Sequence, residues 1–416
     1  MLTTPEPPSL DEVAHLSLMV GRLLLANGAD TAEVQTLVER FARAFGCEAQ
    51  LMISYEALLL TVASGDRFRT KTGRRVPAMN VGLNTVRAVT RIVDDAVAGR
   101  STLAAARAAL DAAEHHRPEY GRWVVVVALG LTAGSLARLF GGDWAAFATA
   151  SVAGAAGTWL RQEMGRRAAN LVATALAAAT VSGLIGAAAV LGGLSATPSL
   201  CLVAPGMIIV PGVPFINGFQ DLIRNHVTLG ISRLAFALLV TTAIAFGLYA
   251  ATALTGISIP VEAATRAVAL PEDAAFSALA AVGFATLFNV PPRIAWACVV
   301  CAVASHTTRT FCTQSGLDLS SGTLIGALIA GALAQGFARV FRAPSATFAF
   351  PGVVAMVPGA FAFRAVIGAL QIGQGTASPG VVHATLTLGV QVVLMLAAIA
   401  TGIVAPTAFS RATPSR

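Results

Sequence analysis

The uneven distribution of charge along the chain is the feature that most constrains its fold. Residues 1–122 contain 14 basic and 14 acidic side chains, whereas residues 123–416 contain 14 basic and only 7 acidic ones. Soluble globular chains carry about 25% charged residues, and this chain carries 12%. The second part therefore predicts a membrane domain joined to a small soluble domain, and the pattern excludes a wholly soluble enzyme.

The net charge of +7 and the isoelectric point near 9.8 do not indicate a nucleic-acid partner. The first 122 residues are neutral, so the whole excess lies in the apolar part, where arginines in short loops are a topology signal. The five cysteines are odd in number and predict no disulfide framework. The first residues, MLTTPEPPSLDE, lack the features of a signal peptide.

The first 122 residues alternate helix and strand signals. Ser9 and Glu12 form a capping box, and Asp30 with Glu33 repeats that signal at a second helix. Strand-like runs over 47–54, 55–64 and 67–72 precede two more helices, over 83–98 and 102–115. This order predicts a small α+β domain. Catalytic, metal-ligating and phosphate-binding motifs are missing from it, so we expect no metal and no cofactor.

The apolar part contains ten stretches with the length and composition of membrane spans. They cover 123–140, 144–160, 168–191, 199–221, 234–254, 274–290, 294–308, 320–340, 346–372 and 381–404. The predicted divisions are a soluble cytoplasmic domain (1–122), a first five-span repeat (123–255), an external connection (256–273), a second five-span repeat (274–405) and a cytoplasmic tail (406–416).

Loop arginines predict the orientation. With residues 1–122 in the cytoplasm, ten arginines fall inside and three outside. Arginine is enriched in cytoplasmic loops, so we expect both termini in the cytoplasm.

Two doubled Pro-Gly motifs are the most informative repeat. Pro205-Gly206 and Pro211-Gly212 lie in the fourth predicted span, and Pro351-Gly352 and Pro358-Gly359 lie in the ninth. Proline removes a backbone donor and glycine frees the backbone, so both spans are predicted to break. Each motif is fourth in a set of five, and an odd number of spans inverts the second copy. Inverted repeats with matched broken helices are typical of secondary transporters.

Polar residues next to the breaks are the predicted substrate site. Asn217 and Arg364 each lie six residues after the second proline of their motif. Arg364 is the only arginine well inside a predicted span, and an intramembrane charge indicates function. We expect its guanidinium to bind a substrate carboxylate. The alternative is a structural contact with Asp221 or with backbone carbonyls.

Polar and titratable residues complete this prediction. Asn217 and Gln220 would supply neutral hydrogen bonds, and Asp221 would receive an ammonium group or a coupling proton. His306 could take part in a proton relay, although a buried, hydrogen-bonded structural histidine is the alternative.

Two segments resemble a known family of exporters. The run Gly21–Val34 followed by Gly82-Leu83-Asn84, and the run Val210–Leu222, are similar to the threonine/serine exporter family, and the last five spans resemble its smaller C-terminal module. The resemblance implies a bacterial inner-membrane exporter of threonine and serine, driven by the proton motive force. Two-subunit relatives are associated with succinate, so a dicarboxylate substrate stays open, as does homo-oligomerisation.

A membrane-anchored enzyme or regulator acting through the first domain is the alternative from another class. It predicts a catalytic constellation in residues 1–122, which the sequence does not show, and it leaves the repeated breaks unexplained. The sequence therefore favours a transporter of small carboxylates, with protons and the lipid bilayer as its other partners.

Overall fold

The computed structural model describes residues 9–55, 57–73, 81–115, 118–261 and 267–410. Its first part, here called the α+β unit, has the predicted order of elements. Side chains cap three of its helices: Ser9 Oγ accepts from the Glu12 amide, Asp30 from the Glu33 amide and Thr102 from the Ala105 amide. The elements are α1 (Leu10–Ala26), α2 (Thr31–Ala44), β1 (Glu48–Ile53), β2 (Leu58–Ser64), β3 (Arg67–Thr72), α3 (Leu83–Val97) and α4 (Leu103–Glu114).

The three strands form an antiparallel sheet in the order β1-β2-β3. Leu60 lies opposite Leu51 on β1 and Lys71 on β3. Leu58, Leu60 and Val62 are fully buried, whereas Leu59 is exposed, as the two-residue period of a strand requires. The buried face of β2 packs against α1. The sheet thus has one covered face and one open face.

The rest of the chain, here called the helical unit, consists of twelve α-helices and one short 3-10 helix (Val354–Met356) within the described residues. The α-helices are α5 (Arg122–Leu139), α6 (Trp144–Arg166), α7 (Leu171–Leu191), α8 (Pro198–Met207), α9 (Gly212–Ile223), α10 (Val227–Thr255), α11 (Leu270–Leu287), α12 (Pro292–Gln314), α13 (Leu319–Phe341), α14 (Ala346–Val353), α15 (Gly359–Gly373) and α16 (Pro379–Ser410).

Five of these helices are long and apolar enough to cross a membrane: α5, α7, α10, α13 and α16. The number rises to seven if the bent pairs α8–α9 and α14–α15 each count as one span. These counts concern the described part of the chain. Three further helices, α6, α11 and α12, pack among them but fall outside this group. The chain is a polytopic helical membrane protein.

Helix contacts follow the same order in the two halves of the helical unit. In the first half α6 packs against α5 and α7, α7 against α10, and α10 against α9. In the second half α12 packs against α11 and α13, α13 against α16, and α16 against α15. The halves meet where α5 packs against α11, α9 against α16, and α10 against α15.

The α+β unit is docked on helix ends of the helical unit. The Leu83 amide donates to the Phe288 carbonyl at 2.9 Å, just after α11. Arg224, just after α9, forms an ion pair with Asp30 at 2.6 Å. The rings of Tyr55 and Phe236 lie 6.3 Å apart. The two units are therefore joined by backbone, ionic and aromatic contacts.

Several helices extend beyond the predicted spans. Helix α6 continues to Arg166 rather than ending at 160, α12 covers 292–314 rather than 294–308, and α10 starts at Val227 rather than 234. Helix α11 begins at Leu270, inside the predicted external connection. A hydropathy window stops at the first charge, whereas helical hydrogen bonding continues through charged residues.

Candidate functional site

Both predicted breaks are present, and they have the same local structure. The α8–α9 pair is bent by 62° and the α14–α15 pair by 47°. At the first bend the Gly212 amide donates to the Val210 carbonyl at 2.8 Å, and at the second the Gly359 amide donates to the Val357 carbonyl at 2.7 Å. The prolines between them have φ of −76° and ψ of 69° and 51°. Each bend is thus an inverse γ-turn centred on a proline.

Only the second Pro-Gly pair of each motif breaks the helix. Pro205-Gly206 lies inside α8, and Pro351-Gly352 lies inside α14. Proline at 351 cannot donate to the Thr347 carbonyl, and this carbonyl instead accepts from Cys298 Sγ at 3.3 Å. The Gly352 carbonyl accepts from Ser305 Oγ at 2.8 Å. Side chains of α12 therefore satisfy the backbone that the second motif releases.

The two bends touch each other. A Cβ atom on Gly212 would lie 2.9 Å from Val354 Cγ2, and one on Gly359 would lie 2.9 Å from Val210 Cγ2. Real Cβ contacts are not that short, so both positions require glycine for close approach. The breaks, which the sequence separates by about 147 residues, meet at one point in the helical unit.

A cavity of about 690 Å³ lies beside the first break, on the face that carries the α+β unit. Its wall includes the bend itself (208–214), parts of α6 and α10, and the loop after α11. The α+β unit contributes Asn27, Gly82, Asn84 and Thr85 to the same wall. The cavity therefore lies between the broken helix and the docked α+β unit.

One arginine, Arg161 on α6, lines this cavity. Of the other lining residues that the structure describes, none is Lys, His, Asp or Glu. The neighbouring Gln162 donates to the Arg122 carbonyl at 3.2 Å, while its buried Oε1 has no hydrogen-bond donor in the described chain. The cavity thus offers one cation, one unused amide oxygen and several asparagine and threonine side chains.

The predicted substrate residues of α9 lie at the interface between the two units. Asn217 donates to the Gly28 carbonyl at 3.2 Å, and Asn217 Oδ1 and Gln220 Oε1 are buried without a donor among the described residues. Asp221 is 1% exposed and pairs with Arg233 of α10 at 2.5 Å. The expected alternative contact between Asp221 and Arg364 is wrong, because Arg233 is the arginine that reaches this carboxylate.

Arg364 is buried on α15 and lacks an ion-pair or hydrogen-bond partner in the part of the chain that the structure describes. Its position follows the second bend, whereas Asn217 follows the first. These two residues have the same offset in their motifs but lie on different half-helices. Arg364 is also not among the residues that line the cavity at the first break.

His306 belongs to a buried polar cluster. Its Nδ1 lies 2.9 Å from a carboxylate oxygen of Asp273, and its Nε2 lies 2.6 Å from Arg309 Nη2. Thr310 Oγ1 donates to Asp273 at 2.6 Å. His306 is therefore a buried histidine with partners on both ring nitrogens, and Asp273 is a charged neighbour that the sequence did not assign to it.

A second polar cavity, of about 420 Å³, lies where α2 and α3 face the ends of α9 and α13. Glu33 lines it beside Asp30 and Arg224. Burial and the Asp30 carboxylate raise the pKa of Glu33 to about 8, and the Arg224 guanidinium opposes that rise. The charged residues around it are Asp30, Arg40, Asp94, Arg224, Arg339 and Arg342.

The sequence did not assign three of the charged residues described above to a functional site. The predicted span bounds put Arg161 between the spans 144–160 and 168–191, Arg233 just before the span 234–254, and Asp273 in the external connection. The structure puts all three inside helices. One weak signal was available: Arg161 and Arg309 are the eighteenth residues of α6 and α12, but this match depends on knowing where the helices begin.

Comparisons with known proteins cover nearly the whole chain. Residues 15–255 match the family model ThrE and residues 273–409 match the family model ThrE_2, both described as threonine/serine exporters. The "Probable succinate transporter subunit YjjP" of Escherichia coli (strain K12) is 29% identical over 251 residues, which is 59% of this chain and 95% of that protein.

Two other relatives extend this picture. The protein of the same name from Klebsiella aerogenes is 28% identical over the same shares of both chains. An uncharacterized protein of Haemophilus influenzae is 28% identical over 134 residues, 32% of this chain and 45% of that one. No solved structure matches the chain significantly.

Proposed function

Since the chain belongs to the threonine/serine exporter family, we propose that it is a secondary transporter that exports threonine and serine across the bacterial inner membrane, driven by the proton motive force. The observation that carries this proposal is the meeting of two broken helices beside a cavity whose mainly apolar wall contains one arginine. Irregular backbone at membrane depth is tolerated where it lines a cavity or is buried in protein. Transporters bind their substrates at such breaks.

The helical unit would consist of two inverted repeats of five spans. Helices α5, α6, α7, the pair α8–α9 and α10 would correspond to α11, α12, α13, the pair α14–α15 and α16. The parallel order of helix contacts and the matching γ-turns support this correspondence. The repeats would occupy 123–255 and 274–405, joined by 256–273.

Ten spans would place both termini on the same side of the membrane, and we take that side to be the cytoplasm. The soluble domain, 1–122, and the tail, 406–416, would then lie on the same side. The excess of arginines in the loops on that side supports this orientation. In this orientation the cavity at the first break would lie on the cytoplasmic side of the helical unit, against the soluble domain.

The cavity lining favours an amino acid over a dicarboxylate. A zwitterion needs one cation and one acceptor, and the lining offers Arg161 and Gln162 Oε1. A dicarboxylate would need a second cation, and the described lining has none. Succinate nevertheless stays the second candidate because two relatives carry it in their names.

The predicted residues away from the cavity would act at other stages of transport. Arg364, buried without a partner on the half-helix after the second break, would bind the substrate carboxylate nearer the external side. Asn217, Gln220 and Asp221 would control the docking of the soluble domain, and the Asp273–His306 pair would carry a coupling proton. Arg364→Gln with unchanged apparent affinity would remove Arg364 from the site.

Counterflow in proteoliposomes tests the proposed function. Vesicles are loaded with threonine, serine or succinate, and the entry of labelled substrate is followed with and without a proton gradient. We expect exchange of threonine and serine and acceleration by the gradient. Exchange of succinate alone would assign the protein to dicarboxylates, and exchange of none of the three would contradict the proposal.

A further inference from the structure

We propose that Arg161 binds the substrate carboxylate, in a site whose cytoplasmic wall is supplied by Asn27 and Asn84 of the α+β unit. This inference rests on the proposed transport function and deepens it. It assigns the binding cation of the cavity at the first break to Arg161, whereas Arg364 would act nearer the external side. It also makes the α+β unit a part of the binding site.

The positive charge of Arg161 has no counter-ion among the described residues. It is half-buried near the end of α6 and has no ion pair or hydrogen bond with any described residue. A guanidinium presents five donors and stays charged. Holding it out of bulk water without an anion is costly. A carboxylate in the adjoining cavity would relieve that cost through paired hydrogen bonds.

The second half of the helical unit has an arginine at the corresponding position, and this arginine has partners. Arg309 is the eighteenth residue of α12, as Arg161 is of α6. Arg309 Nη2 contacts His306, which in turn contacts Asp273. In this half, therefore, His306 links Arg309 to the carboxylate of Asp273.

The first half lacks both of these partners. Val125 is the fourth residue of α5, as Asp273 is of α11, and Thr158 is the fifteenth residue of α6, as His306 is of α12. Val125 and Arg161 line the same cavity. An apolar side chain thus stands where the second half has its carboxylate, and the cavity provides room for a carboxylate from a ligand.

The α+β unit closes the other side of this space. The Gly82 amide donates to the Asn27 carbonyl at 3.1 Å and so fixes the two loops against each other. Asn84 Oδ1 accepts from the Thr85 amide at 2.8 Å, and the Asn84 amide nitrogen has no partner among the described residues. This nitrogen can donate to a hydroxyl oxygen, the group that threonine and serine share.

Counterflow with variants of Arg161 tests the inference. We expect Arg161→Gln to raise the KM for threonine at least tenfold and Arg161→Lys to raise it less. The matched control is Arg166→Gln, which removes an exposed arginine of the same helix and is expected to leave the KM unchanged. An Arg161→Gln KM within twofold of the wild type would overturn the inference.

A second pair of variants applies if Arg161→Gln does not fold. Val125→Asp places a carboxylate at the position that corresponds to Asp273, so it should neutralise Arg161 and raise the KM for threonine at least tenfold. Val125→Asn has nearly the same shape without the charge and should change the KM much less. Equal KM values for the two variants would overturn the inference.

The wild-type protein separates this inference from the function on which it rests. If wild-type vesicles exchange none of the three substrates, the transport function fails. If they exchange threonine and the Arg161 and Val125 variants behave as the wild type does, only the assignment of Arg161 fails.

Discussion

The buried ion pair between Asp221 and Arg233 is the clearest residue-level contact at the interface between the two units. Both are 1% exposed, and Arg233 Nη1 lies 2.5 Å from Asp221 and 3.3 Å from the Thr31 hydroxyl of the α+β unit. A buried ion pair adds little net stability compared with apolar residues, but removing one partner leaves an uncompensated charge. A substitution of one residue of the pair is therefore tolerated only if the other residue is replaced as well.

Asp221→Asn is expected to destabilise the protein by about 3–5 kcal/mol, because it leaves the Arg233 guanidinium buried without a counter-ion. Thermal unfolding in detergent measures this loss. The double variant Asp221→Asn, Arg233→Met removes the stranded charge and should recover much of the stability. A single variant that unfolds at the wild-type temperature, or a double variant no better than the single, would contradict this account.

Glu33 makes the docked structure sensitive to pH. Its folded-state pKa is about 8 because of burial and the nearby Asp30 carboxylate, against 4.5 for an ordinary glutamate. The folded state thus holds a proton that the unfolded state loses, so stability is full below pH 4.5 and falls as the pH rises toward 8. The effect levels off above pH 8.

Glu33→Gln should remove this pH dependence, since glutamine cannot ionise. We expect the variant to match the wild type near pH 5 and to exceed its melting temperature increasingly up to pH 8. Melting curves in detergent from pH 5 to 9 measure the difference. A constant offset across that range would show that folding does not raise the pKa of Glu33.

At the scale of elements, the two bends act as one structural feature because each glycine packs against the valine before the other bend. The sequence predicted both breaks, because two Pro-Gly pairs in one apolar span have few structural explanations other than an interrupted helix. It did not predict that only the second pair of each motif ends its helix. In the second motif that outcome depends on contacts from α12, where Cys298 and Ser305 satisfy carbonyls of α14.

Gly359→Ala is expected to reduce the transport rate at least tenfold, because its Cβ would lie 2.9 Å from Val210 Cγ2. Overpacking of this kind costs about 1–3 kcal/mol. Gly336→Ala on α13 is the matched control, since a Cβ there meets no atom within 4 Å. Counterflow rates compare the two.

Val210→Ala combined with Gly359→Ala restores the space between the bends and should recover part of the transport rate. If Gly359→Ala transports as fast as Gly336→Ala, the close contact of the bends is not needed for function.

At the scale of the whole molecule, the proposed inverted arrangement makes a prediction about sidedness. Arg167, after α6, would face the cytoplasm, and Thr376, between α15 and α16, would face the outside; both are exposed. Arg167→Cys and Thr376→Cys are introduced separately into a chain without its native cysteines. A membrane-impermeant maleimide should label Thr376→Cys in intact cells and Arg167→Cys only after permeabilisation. Labelling of both residues from the same side would contradict the inverted repeats.

The sequence by itself determined the class of the molecule and the places where its helices break. Charge density, apolar length and the chemistry of proline and glycine act locally, so they can be read in a window of about 20 residues. The same locality explains why the caps at Ser9 and Asp30 and the order of the first seven elements agreed with the structure.

Only the tertiary structure determined which charged side chains contact one another. Asp221 pairs with Arg233 rather than Arg364, and Asp273 joins His306 from another helix. Arg161 lines a cavity and has no partner among the residues that the structure describes. Electrostatic partnership depends on distances of a few ångströms between elements that are far apart in the chain. The sequence contains the charged residues, but helix packing determines which of them are paired and which can bind a ligand.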